Sequence, residues 1–225
     1  MGKTFGYKDL NITKAQYVTA AKALERLQRK GTIKKVANGK FYKPEETVFG
    51  ELKPSEYQLL KPYLFEGKKR IAYITGAFLY NKMGLTRQVA SKIKIASRGR
   101  RIYVQTGTIS ATPVKSYIEV NTTNYQKLEF LDALKDINKV SDLNPKSGVV
   151  ILSSMLKNMT DKELEDTIKY ALAYPPRARA VLGALLENIQ MYAFIEKLKE
   201  SLNPFSEYKT VISKELPTAK KWNLV

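Results

Sequence analysis

Between Thr13 and Gly31, in "TKAQYVTAAKALERLQRKG", apolar residues recur at helical spacing. Tyr17, Ala20, Ala21, Leu24 and Leu27 fall on one stripe and are expected to pack inward. Gln16, Thr19, Lys22, Ala23 and Arg26 fall on the opposite face. Thr13 with Gln16 makes a capping box at the start, and Gly31 is placed to end the helix. The pattern then changes. Ile33 to Val36 and Phe41 to Tyr42 are short apolar-bearing runs around Asn38-Gly39, a strong hairpin signal because a type I′ turn needs positive φ twice. With "YKDLNI" ahead of the helix, the order is helix, turn, helix, wing. The expectation is a winged helix-turn-helix over residues 1–44.

From Glu45 the composition shifts, and "KPEETVFGELKP" reads as a linker into a second domain, 45–225. Ser55 with Gln58 caps a helix through about Phe65. "RIAYITGAFLYNKMGL" looks largely helical and buried, with Gly76 allowing close backbone approach and Gly84 a stop. Lys92 to Lys115 carries strand signals in "KIKIAS", "RIYVQT" and "TISATPVKSYIEV". Thr123 with Gln126 opens a helix to about Asn138, and Thr160 with Glu163 another to Tyr174. After Pro175-Pro176 one long helix is expected from Arg177 to about Leu202. Its stretch "ARAVLGALLENIQMYAFIEKL" is read as core. The fold class is therefore α+β: a winged helix followed by a mostly helical domain with a small β-sheet.

Charge adds a partner to this picture. The 225 residues hold 39 basic and 21 acidic side chains, a formal charge of +18. Half of it lies between Met1 and Pro44, where eleven lysines and arginines face two acids. Such a field implies a polyanion, nucleic acid before an anionic membrane. Lys34, Lys35, Lys40 and Lys43 would lie along DNA phosphates, where they add affinity without reading sequence. Lys14, Gln16, Thr19, Lys22 and Arg26 would supply groove and nearby phosphate contacts, Gln16 and Arg26 being able to pair with adenine and guanine edges. The plainer alternative is a solvated basic hairpin on a small helical domain.

Chemistry subtracts more than it adds. The sequence has neither histidine nor cysteine, which removes disulfides, thiol chemistry, His-dependent triads and the usual metal ligands. No cofactor, metal or catalytic residue is expected. Asp161 and Glu163 are better read as compensating a helix N-terminus than as a metal pair. "GRRIYVQTG" matches neither phosphate-loop fingerprint. Arg98, Arg100 and Arg101 form a basic cluster between strands, either a grip for a phosphate or acidic partner or an ordinary charged turn. The N-terminus has no apolar leader and no run approaches the roughly 18 apolar residues of a membrane helix. A cytoplasmic protein without membrane contact is expected. No heptad marks a dimer, so the oligomeric state stays open.

Residues 49–97, "FGELKPSEYQLLKPYLFEGKKRIAYITGAFLYNKMGLTRQVASKIKIAS", with "LEFLDALKDI" and "YALAYPPRARAVLGALLE" further on, resemble the AbiEi-like antitoxins of bacterial type IV toxin–antitoxin systems. The likeness runs from Phe5 to about Glu187. It implies an N-terminal winged helix that binds the protein's own operator and represses its operon. It also implies a C-terminal domain tied to antitoxicity against a nucleotidyltransferase-like toxin. The chain lacks the Gly-Ser and Asp-x-Asp pattern of such a toxin. Two other readings stand beside this one: a nucleic-acid-processing enzyme with an unrecognised site in the second domain, and a toxin-binding adaptor that does not bind DNA.

Overall fold

The computed structural model describes residues 4–37, 39–48, 50–52, 54–90, 92–106 and 109–225. Asn38, half of the expected hairpin turn, lies outside the described residues. The architecture is α+β, and contacts gather the chain into two compact units. One comprises residues 1–66 with 104–110, the other residues 67–103 with 111–225.

In the first unit a strand that sequence reasoning did not anticipate, β1 (Thr4–Gly6), precedes a single 3-10 turn (Tyr7–Asp9). The expected helix begins as a 3-10 turn at Lys14–Gln16 and continues as α1 (Tyr17–Arg29). Gly31, at φ +72°, terminates it in the left-handed conformation that favours glycine. The hairpin follows as β2 (Lys34–Ala37) and β3 (Lys40–Tyr42), and β3 also pairs with β1, giving the antiparallel order β1-β3-β2. Leu24, Ile33 and Phe41 form a small core, with Phe5, Tyr7 and Leu10 packed against it. In the stretch expected as linker, β4 (Glu45–Thr47) pairs antiparallel with β5 (Gly50–Leu52). The contacts place residues 45–66 with the first unit. Ser55 caps α2 (Glu56–Leu60) through a capping box with Gln58. A short strand, β6 (Phe65–Glu66), follows.

The second unit opens with β7 (Lys69–Arg70) and β8 (Ala72–Thr75). Residues 72–75 were expected to be helical. All four are buried, and a strand covered on both faces reads as a continuous apolar run that periodicity cannot separate from a helix. The helix begins after Gly76 as α3 (Ala77–Lys82). Strand β9 (Ile93–Ser97) pairs antiparallel with β8; β10 (Val104–Thr106) and the first two residues of β11 (Ile109–Lys115) are counted with the first unit, and β11 re-enters the second at Ala111. Within this unit β11 runs parallel to β9, with Ala111 opposite Ile93 and Lys115 opposite Ser97.

Helices then bury the sheet. The core is built on α4 (Tyr125–Asp136), with α5 (Pro145–Lys157), α6 (Asp161–Ala171) and α7 (Pro176–Asn188) around it. α5 was not anticipated, although Asn144 caps it by accepting from Ser147 N at 2.9 Å and Pro145 occupies its first turn. The box at Thr160 and Glu163 forms as expected. α4 starts at Tyr125, with Asn121 rather than Thr123 accepting from the Thr123 and Asn124 amides. The long last helix is broken: α7 stops at Asn188, Gln190 takes φ +63°, and a 3-10 turn (Tyr192–Phe194) leads into the short α8 (Glu196–Glu200). As expected, α7 is core, with Val181, Leu182, Leu185 and Leu186 fully buried.

Two polar groups lock this unit. Buried Asp132 accepts from Tyr73 (3.0 Å) and Thr75 (2.8 Å) of β8 and from Lys135 (2.8 Å) of its own helix, so its charge is met by three donors. Glu187 accepts from Trp222 Nε1 and Lys221 Nζ, both at 2.7 Å, tying α7 to the C-terminal segment. Burial alone would push the Glu187 carboxyl up; Lys221 and Trp222 outweigh it and hold the carboxyl below its ordinary range.

Candidate nucleic-acid interface

In the first unit, α1 is fixed to its core by Leu24, its one fully buried residue. Tyr17 and Leu27, expected inward, remain 51% and 39% exposed, because the core is too small to cover the whole apolar stripe. Tyr17 packs instead against Tyr7, ring centroids 4.7 Å apart. The opposite face is open: Thr19, Lys22 and Arg26 are exposed along one side, and Lys14 and Gln16 at the leading end. Glu25 pairs with Arg29 at 2.7 Å on the flank of that face.

Gln16, expected to pair with adenine, is engaged in the capping of its own helix. Its Oε1 accepts from both the amide (3.0 Å) and the hydroxyl (3.1 Å) of Thr13, and paired recognition of adenine needs that oxygen together with the amide nitrogen.

The hairpin lysines divide. Lys35 and Lys43 are exposed, and Lys40 is half-buried. Lys34 is ion-paired with Glu51 of β5, so its charge is partly neutralised within the unit. The other Glu51 oxygen accepts from Tyr42 Oη at 2.7 Å. Burial and this carboxylate push the Tyr42 phenol up to about 12, leaving it a protonated donor at neutral pH. Between the start of the helix and the hairpin lies a cavity of about 630 Å³, lined by Tyr7, Lys14, Tyr17, Gly39 and Lys40 among others.

In the second unit, Arg98, Arg100 and Arg101 do come together. They line one cavity of about 530 Å³ with Tyr103 and Lys115. Sequence reasoning missed the last two: the parallel register that sets Lys115 opposite Ser97 is non-local. It also missed Glu129, which lines a largely apolar cavity of about 580 Å³ with Leu79, Met83 and Met155. Burial pushes the Glu129 carboxyl up to about 7, against the pull of Lys82 and Arg70 and with a further push from Asp132. Among the described residues no group of three or more acidic side chains is placed to hold a metal ion, and no helix is long and apolar enough to cross a membrane.

Residues 5–164 match the family model of DUF6088, a family of unknown function. The chain belongs to this family. No curated protein matches it. Among solved structures, this DUF6088 member is similar to the RV2827C protein from Mycobacterium tuberculosis, with a TM-score of 0.56 and 14% identity over 91% of this chain and 78% of that one. At that identity the likeness is one of fold.

Proposed function

We propose that this chain is a DNA-binding transcriptional repressor of its own operon, acting without catalysis in the cytoplasm, and the antitoxin of a type IV pair. Residues 4–42 serve as the winged helix, with α1 in the major groove and β2–β3 as the wing. The observation that carries the reading is the single face of α1 on which Thr19, Lys22 and Arg26 stand exposed while Leu24 holds the other face. The β1-β3-β2 order, which sets the lysine-bearing hairpin after that helix on a common small sheet, supports it. The antitoxin role rests on the sequence resemblance to AbiEi-like proteins and makes a nucleotidyltransferase-like toxin the expected protein partner.

Binding of the purified protein to DNA from upstream of its own gene and to scrambled DNA, across a salt series, tests the DNA reading. A preference for the upstream sequence should survive physiological salt. Arg26→Ala should weaken it by about 1–3 kcal/mol and relax one base position, whereas Lys35→Ala should weaken all sequences alike and lower the salt slope by about 1. Equal affinity for both DNAs that vanishes with salt would reduce the first unit to a polyanion-sticky surface and sink the repressor reading.

A further inference from the structure

The arginine cavity of the second unit has a composition that the proposed DNA contacts of the first unit do not account for. Arg98, Arg101 and Lys115 line it, with Arg100 beside them, and no carboxylate stands among the described lining residues. Arg98 is held in place, its Nη1 donating to Ser116 O at 3.2 Å. Tyr103 stands on the same wall with 67% of its surface exposed, an aromatic face without cover in an otherwise cationic site. Gly99 adds open backbone: a β-carbon there would meet nothing within 4 Å, so a ligand can approach the main chain closely.

Charge and shape select the ligand class. A straight run of duplex phosphates needs neither a cavity nor an aromatic wall, and an acidic peptide needs no stacking face. A triphosphate chain carries about four negative charges at neutral pH, about two of them on its terminal phosphate, which suits a lining that gathers Arg98, Arg101 and Lys115. Guanidinium groups bind phosphate oxygens in pairs, and an exposed tyrosine offers a stacking surface for a base. The volume, about 530 Å³, lies in the range of small-ligand sites.

We propose that this cavity is a nucleotide site, in which Arg98, Arg101 and Lys115 hold the phosphate chain of a nucleoside triphosphate and Tyr103 stacks on its base. It extends beyond the DNA reading and stands independently of it.

Isothermal titration of the full chain with ATP, GTP, inorganic tripolyphosphate and adenosine, at physiological salt, tests the site. One nucleotide should bind per chain, more tightly than tripolyphosphate, and adenosine weakest. Arg101→Ala or Lys115→Ala should weaken the nucleotide about ten- to a hundredfold, the loss expected for one hydrogen bond to a charged group. Tyr103→Ala should bring the nucleotide down to the affinity of tripolyphosphate. The pair Lys22→Ala and Arg26→Ala should leave nucleotide binding unchanged, which separates this site from the DNA interface. These side chains are exposed, and unchanged melting curves will show that the variants fold. The proposal is overturned if nucleotide and tripolyphosphate bind alike in the native chain. It is equally overturned if Arg101→Ala and Lys115→Ala weaken a duplex while leaving nucleotide binding intact, the mark of a DNA backbone contact.

Discussion

Gly183 lies in the interior of α7, where glycine ordinarily weakens a helix. A β-carbon there would come within 2.1 Å of the Trp222 ring, so the missing side chain is the space the indole occupies. Gly183→Ala should cost about 1–3 kcal/mol by overpacking. It should also shift the emission of the chain's single tryptophan to the red as the indole moves toward water. Unchanged emission and stability would show that the segment repacks freely. Residues whose roles are local were legible in the sequence: Ser55 and Thr160 cap helices as their spacing requires. Gly183 was not, because its neighbour is far away in sequence. Gln16 marks the boundary between the two cases, since the same local capping that made it recognisable also engages its side-chain oxygen.

At the scale of elements, the strand pair β4–β5 shows how a polar, proline-flanked stretch conceals structure. Its acids suggested a linker, yet Glu51 is the partner of Lys34 and Tyr42. Glu51→Gln should therefore raise affinity for every DNA sequence alike and steepen the dependence on salt by up to about one counterion, as Lys34 is released toward phosphate. Binding and salt slope identical to the native chain would mean that Lys34 stays out of reach of DNA even when unpaired. The same difficulty hid β8, whose buried run carries no alternation. The exposed face of α1 was readable because its charges keep a helical period, whereas the partners of the arginine cluster depend on a strand register that spacing does not encode.

Over the whole molecule, the α+β class was legible from the change from alternating to helical patterns, and the extent of each unit was not. The Glu129 site acts at this scale because it feeds directly into stability. Its carboxyl, raised from 4.5 to about 7, binds its proton more tightly in the folded chain than in the unfolded one. The resulting stabilisation is fully present below about 4.5 and is lost as pH rises through about 7. Glu129→Gln should flatten that part of the profile. At pH 8 its melting temperature should exceed the native one by about 2–4 °C, the shift that about 1 kcal/mol produces in a chain of this size. Parallel pH profiles for the two proteins would show that the carboxyl stays ionised. The division of the chain has a consequence of another kind. Residues 104–110 belong to the first unit although the second has already begun at residue 67. During synthesis on the ribosome, the proposed DNA-binding unit therefore cannot be finished when its own helix and hairpin emerge; its last piece arrives only after the opening strands of the other unit have been made.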